Sequence, residues 1–506
     1  MSAVTTALGI DVGTTNVKVA IVGADGTVHA TASRNLVANV DGDRSELDAD
    51  AQWQAVVDAA GECVAAAPQA ASEIVAVGVD SQYSSIVPVD ADGRPVAPMR
   101  LWSDRRGTDR SWAILAEHED AFGGFVERHG IPPVGGGLSL GHILHLQHDC
   151  PDVHDRTAAY LEPMDHVNAR LTGRLAANQA TQFMSQLVDN RSLGQTAYDD
   201  VLLGWSGVDP TRLPPLLPMD EPVGAVRPEV AQQLGIPAAA MVHAGVNDTQ
   251  AGSVATDASR QGRAGLSIGT TSVLVDAIAT KEVDLDHEVL SCPGPFTDRY
   301  LVFAENGLGG KPLEHVLSNV VHTGGFDTLD EVLDRVPAGS GGVLFLPWLR
   351  GSMAPANDQH MRGGYVNMSL ETGRNELVRA TCEGVAHNLA WLLPHAEALT
   401  GEPVREIVFV GGAARSAGWA QIVADVLDRP VLVPDRPEVA IARATALLAL
   451  HRHGVLDRDD LSRLASSGQA RRPIVENHAV YARHQPQFEA VFEALRPISA
   501  ALNAAH

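Results

Sequence analysis

Two carboxylates and a repeated turn carry most of the chemistry that this 506-residue chain can offer. Asp11 ends an apolar run and stands directly before Gly13-Thr14-Thr15, within GIDVGTTNVKVAI over residues 9–21. The phrase returns as SIGTTSVLVDAI over residues 267–278, so Gly269-Thr270-Thr271 repeats the first turn 256 positions later. Small residues let backbone N–H groups approach an anion closely and threonine hydroxyls add donors, so both turns suit phosphate oxygens. A carboxylate beside phosphates acts most naturally through Mg²⁺, often with water between them. The plainer role for Asp11 is to end a strand and favour a turn. Asp248 lies in AGVNDTQAG over residues 244–252, shortly before the second turn. A carboxylate there can accept the proton of a hydroxyl that attacks a phosphoryl group. It can equally cap a helix over residues 249–254. In VGGAARSAGW, residues 410–419, Gly411 and Gly412 bare the backbone to a base or ribose, and Ser416 can cap the helix that follows.

These groups need strands and helices to hold them. Each Gly-Thr-Thr turn lies between two apolar strands and reads as a tight β-hairpin. The spacing predicts a helix over 50–67, strands at 74–80 and 85–90, largely helical structure over 102–175 broken by the loop 131–137, and a surface connection over 205–237. It further predicts a strand from Val242 into the Asp248 segment, a strand near 343–349, a long helix over about 370–399, a strand at 407–410, a helix over 416–427, and a tail helix from about 480. Strands alternating with helices, and a motif repeated half a length apart, indicate α/β layering in two related domains joined near residue 245.

Composition narrows the partners. The net charge of −25 argues against nucleic acid and anionic membranes. A phosphate site must therefore be built locally. Only three lysines occur, Lys18, Lys281 and Lys311, and there is no GxxxxGK(S/T) loop. No run approaches the roughly 18 apolar residues of a membrane span, and the N-terminus lacks the features of a signal peptide. Four scattered cysteines, Cys63, Cys150, Cys292 and Cys382, fit reduced thiols in a cytoplasm. His142, His145 and His148 share a helical face, but no second ligand cluster accompanies them, so a solvated or partly packed face is expected rather than zinc. Trp348 and Trp391 read as core.

Taken in order, DVGTTNVKV, WSDRR, AGVNDTQAG, IGTTSV and VGGAARSAGW resemble the FGGY carbohydrate kinases from Leu8 to about Leu450. The layout is closest to xylulose kinases within the actin, hexokinase and heat-shock ATPase superfamily. The resemblance implies two ribonuclease-H-like (actin-like ATPase) domains around a central cleft, 1–244 and 245–506, with the last helix a candidate to pack back on the first. It implies Mg-ATP, a small sugar or polyol substrate, and a homodimer as a common state. It makes Asp248 the catalytic base and Asp11 the metal-associated aspartate. Gly13, Thr14, Thr15 and Lys18 then form the first ATP-binding segment, Gly269, Thr270 and Thr271 the second, and Gly411, Gly412 and Ser416 the adenosine region. Lys311 either faces the nucleotide or begins a solvent-exposed helix. Gln82, Tyr83, Trp102, Asp104 and Arg105, with Asp248, are the expected sugar contacts. Xylulose kinases read Gln-Met-His where Gln82-Tyr83-Ser84 stands, so both residues tied to sugar choice differ. A ketopentose such as xylulose is the leading expectation, with ribulose, a tetritol and glycerol open. A nucleotide-switched binding ATPase is the alternative from another class.

Overall fold

The computed structural model describes residues 5–322, 325–465 and 467–503. The first four residues, on which the reading of the amino terminus partly rests, lie outside this range. Strands Thr6–Val12 and Asn16–Gly23 pair antiparallel around the first Gly-Thr-Thr turn, with Asp11 opposite Lys18. Val28–Asn35 extends the pair antiparallel on one side. On the other, Thr6–Val12 runs parallel to Ile74–Ser81, which is itself parallel to Met241–His243 and Val246–Asn247. Every residue of Thr6–Val12 is buried, which is why this central strand reads as an almost continuous apolar run. Helix Ala49–Ala66 covers one face and is capped by Asp48, whose side chain accepts from the Asp50 and Ala51 amides.

The second sheet repeats this order. Arg263–Ile268 and Thr271–Ile278 pair antiparallel around the second turn, and Tyr300–Leu308 extends them antiparallel. Glu406–Val410 runs parallel to Arg263–Ile268, and Val431–Val433 parallel to Glu406–Val410. Three antiparallel strands followed by parallel ones, present twice, make two ribonuclease-H-like domains of the actin type. Between Val87 and Thr172 the first domain carries five helices, from Thr108–Glu117 to Pro163–Thr172, with a small core of their own around Phe125, Ile143 and Tyr160.

Two helices cross the junction. Asp248–Thr256 starts where the first sheet ends and packs on the second, while Ala440–Arg452 leaves the second domain and packs on the first sheet. Gly9 and Gly78 are register partners on adjacent strands. A Cβ on Gly9 would stand 2.1 Å from the Ala442 carbonyl oxygen, and one on Gly78 2.5 Å from that of Thr445. The crossing helix is seated in a groove that only glycine leaves open.

That helix, not the last one, returns to the first domain. Val475–Asn503 stays on the second, burying Tyr481 in its core and Phe488 and Phe492 against Trp348. Its aromatics match that surface, and the small residues of Ala440–Arg452 match the glycine groove. The 205–237 connection is also more ordered than expected. It contains strand Pro222–Ala225, paired with Met241–His243, and helix Pro228–Leu234, whose Val230 and Leu234 enter the first core. Pro228 occupies the first helical turn, where proline initiates rather than breaks. Among the described residues no helix is long and apolar enough to cross a membrane.

Candidate active site

The ends of three neighbouring strands bring the carboxylates together. Asp11 is the register partner of Asp80, and Asp80 of Val246, two residues before Asp248. Asp80 was not anticipated, yet it ends the apolar run IVAVGVD as Asp11 ends its own; that shared pattern was the available signal. Asp11 is 7% exposed and Asp80 fully buried. Burial raises the Asp11 carboxyl above its ordinary value, opposed by Lys18, whose Nζ lies 4.0 Å from Asp11 Oδ2, and by Asp80. Burial, and then the charge of Asp11, raises Asp80 well above the ordinary carboxylate value. The hydroxyl of Thr445, on the crossing helix, donates to Asp80 Oδ2.

Asp248 opens helix Asp248–Thr256 but does not cap it. Asn247 is the cap, its Oδ1 accepting from the Gln250 amide at 2.7 Å while the Asn247 amide donates to Gln250 Oε1 at 2.8 Å. This reciprocal box satisfies the helix start and leaves the Asp248 carboxylate to Thr249, whose hydroxyl donates to it at 3.2 Å and whose amide also lowers its pKa. Burial first, and the charge of Asp11 second, raise Asp248 to about 7. A carboxylate poised there can exchange protons near neutrality.

Both turns are open. The Gly13 amide donates to the Asn16 carbonyl at 2.9 Å, while Thr15 is exposed and Thr14 partly so. At the second turn the Gly269 amide donates to the Thr271 carbonyl at 2.9 Å, and a Cβ on Gly269 would meet nothing within 4 Å. Gly309 and Gly310 press against this turn, with the Gly310 amide donating to the Gly269 carbonyl at 2.7 Å. Those two glycines were not anticipated, although Gly-Gly-Lys after a strand was a visible sign. Gly411, at φ 94°, packs where a Cβ would stand 2.8 Å from the Ile268 carbonyl oxygen. The Gly-Gly turn and the second hairpin are thus in contact. Ser416 caps helix Ala417–Leu427, accepting from the Trp419 amide at 3.0 Å and donating to Asp330.

The expected sugar contacts divide into two groups. Gln82, Thr14 and Trp102 form one chain: Thr14 Oγ1 donates to Gln82 Oε1 and accepts from Trp102 Nε1 at 3.2 Å. Trp102 is 43% exposed, free to present its ring. Tyr83 donates to Glu305 Oε1 at 3.4 Å. Asp104 departs from the expectation: it is 1% exposed, and both its oxygens are taken by Arg106 and by the Ser45 amide. Arg106 also pairs with Glu46, which holds Arg100 as well. A carboxylate so saturated anchors the Trp102 loop and has no acceptor left for a sugar. Arg105 is exposed, its amide bonded to the Asp43 carbonyl at 2.8 Å. Lys311 begins helix Gly310–His315 and pairs with Glu314 at 2.9 Å, the solvent-exposed alternative. Of the histidine face, His142 is buried, His145 half-buried and His148 exposed, a partly packed surface.

Two atoms in this region, Asp80 Oδ1 and Gln82 Nε2, are buried without a protein partner among the described residues. Such orphans are expected where an ion, water or ligand completes the set. Clustered carboxylates are also the hard oxygen donors that Mg²⁺ prefers.

Two actin-type domains, each offering a Gly-Thr-Thr hairpin, define a fold of the sugar-kinase and ATPase class. Residues 6–255 match the N-terminal domain, and residues 264–452 the C-terminal domain, of the FGGY family of carbohydrate kinases, and the chain belongs to that family. It is accordingly a carbohydrate kinase, a phosphotransferase. It is 24% identical over 494 residues to a gluconokinase of Bacillus subtilis, covering 95% of this chain and 94% of that one. It is 26% identical over 509 residues to the xylulose kinase of Escherichia coli, covering 97% and 100%. Among solved structures, a ligand-bound xylulose kinase from Lactobacillus acidophilus superposes with a TM-score of 0.85 at 20% identity, covering 97% of this chain and 98% of that one. The glycerol kinase of Plasmodium falciparum with ADP gives 0.82 at 17% identity, covering 96% and 98%.

Proposed function

We propose that this kinase transfers the γ-phosphoryl group of ATP to a primary hydroxyl of a small sugar or polyol, a ketopentose such as xylulose first among them. The observation that carries the reading is the gathering of Asp11, Asp80 and Asp248 at adjacent strand ends, in a fold that offers two phosphate-suited turns. Asp248, ionised above about pH 7, accepts the hydroxyl proton as the new O–P bond forms. The bond from γ-phosphorus to the β–γ bridging oxygen breaks, and ADP leaves with that electron pair. In the turns Gly13–Thr15 and Gly269–Thr271, whose glycine amides close the hairpins, the remaining amides and the hydroxyls of Thr15, Thr270 and Thr271 hold the phosphates, and Gly411, Gly412 and Ser416 flank the adenosine. Mg²⁺, when bound, supplies positive charge against the phosphate oxygens, and Asp11 with Asp80 beside it would hold it. Gln82, Tyr83 and Trp102 orient the sugar.

Two features support this assignment of the base. The Asn247–Gln250 box relieves Asp248 of capping, and its proton affinity matches the task. The ketopentose preference draws on the named xylulose kinases among the relatives. Coupled ADP release with Mg-ATP, across ketopentoses, pentitols, tetritols, glycerol and gluconate, tests the reading. Strong stimulation by one ketopentose is expected, and ADP release that no added alcohol stimulates would overturn it.

A further inference from the structure

Glu305 is a half-buried carboxylate that the mechanism above does not use. It lies on strand Tyr300–Leu308 of the second domain, opposite Val273 of the strand that leaves the second Gly-Thr-Thr turn. Its partner, Tyr83, follows the Ile74–Ser81 strand of the first domain, beside Gln82, so the 3.4 Å hydrogen bond spans the junction. The Tyr83 ring packs into a cluster drawn from both domains, with Phe183 and Met184 from one and Val275, Leu301 and Phe303 from the other. Ser84, the next residue, is held at φ 58° although it is not glycine, a conformation that costs about 1–2 kcal/mol and recurs at functional sites. Asp248 acts on Tyr83 alongside Glu305, and Glu305 acts on Asp248, so the three form one group. Burial first, and then the acidic groups Glu305, Asp248 and Cys292, raise the Tyr83 phenol, while burial and Glu288 raise Glu305.

We propose that Glu305 is a specificity residue supplied from the second domain, which with Tyr83 accepts an uncharged polyhydroxy substrate beside Asp248 and rejects aldonates such as gluconate. This rests on the kinase reading above and narrows its substrate class. A neutral polyol offers hydroxyl donors to Glu305 and acceptors to the Tyr83 phenol. An aldonate brings a second negative charge into a site already lined by carboxylates, and like charges at short range are a strong means of exclusion.

The test is kinetics and binding with the full-length enzyme, using xylulose and gluconate as probes, for wild type, Glu305→Gln and Glu305→Ala. Wild type should favour the neutral sugar in kcat/KM by at least about 100-fold. Glu305→Gln removes the charge and keeps the shape, so this ratio should fall by about tenfold or more, chiefly through better use of gluconate. Glu305→Ala should weaken the neutral sugar by about 10- to 100-fold in KM, the range for one hydrogen bond to a charged group, with the KM for Mg-ATP unchanged. A purely structural glutamate would not move the ratio, so an unmoved ratio in both variants overturns the proposal. Wild type that prefers gluconate also overturns it while leaving the kinase standing. If neither probe accepts phosphate, the ketopentose reading is what fails, and calorimetric binding of the same two compounds still decides: tighter gluconate binding refutes the role of Glu305, and tighter xylulose binding, lost in Glu305→Ala, upholds it.

Discussion

Asp248→Asn should make the protein more stable at pH 8 and almost inactive. In the unfolded chain the carboxyl ionises near 3.8, whereas the native site holds the proton up to about 7. Between those two values the native state binds a proton that the unfolded state has released, so native stability falls as pH rises through this window. The full cost is present above about pH 7. A shift of roughly 3 units at about 1.4 kcal/mol each sets a ceiling near 4 kcal/mol, and partial solvent access reduces the expected figure to about 2–3 kcal/mol. Asparagine carries no charge and escapes the cost. The variant should therefore exceed wild type in urea midpoint at pH 8, and the gap should close towards pH 4–5. Turnover should fall by about 10²–10⁴, the usual range for a lost general base. In wild type, kcat/KM for the sugar should drop about tenfold per unit below pH 7. A variant no more stable than wild type at pH 8 would refute the electrostatic argument. One retaining more than a tenth of wild-type turnover would refute the role of the base.

Three further substitutions probe what positions the site. Gly78→Val places side-chain atoms where the Thr445 carbonyl oxygen stands 2.5 Å from a Cβ. It should lower stability by about 1–3 kcal/mol and raise the KM for Mg-ATP, and an unchanged melting profile would count against the groove. Thr445→Val deletes the donor to Asp80 at nearly constant volume and should cost about 1–3 kcal/mol in urea unfolding, with Thr445→Ser restoring most of it. Arg106→Met leaves Asp104 buried without its cation and should cost about 3–5 kcal/mol. If Asp104 met the sugar directly, the same change would raise sugar KM with little loss of stability.

What could be read in advance was written in consecutive residues. Apolar alternation around Gly13 and Gly269 specifies two hairpins, because each strand pairs with its chain neighbour. The helix over Ala49–Ala66 was legible from its apolar spacing as 50–67, whereas its Asp48 cap emerged only with the fold. The tail helix was equally visible as a helix, but its address was not, since packing on Trp348 depends on which surface is aromatic in the folded protein. Asp104 misled for a related reason: WSDRR places a charge beside a tryptophan, yet only the fold shows Arg106 turning back to saturate it. Asp80 is the intermediate case. Its own strand carries the same ending as Asp11, but its place beside Asp11 and Val246 follows from strand register, which a single chain read in order does not contain. Tyr83 and Glu305, 222 positions apart, lie beyond any local pattern. The class of chemistry resides in motifs that each domain presents by itself, whereas the Tyr83–Glu305 contact is made where the two domains meet, by side chains whose neighbours are set only when both have folded.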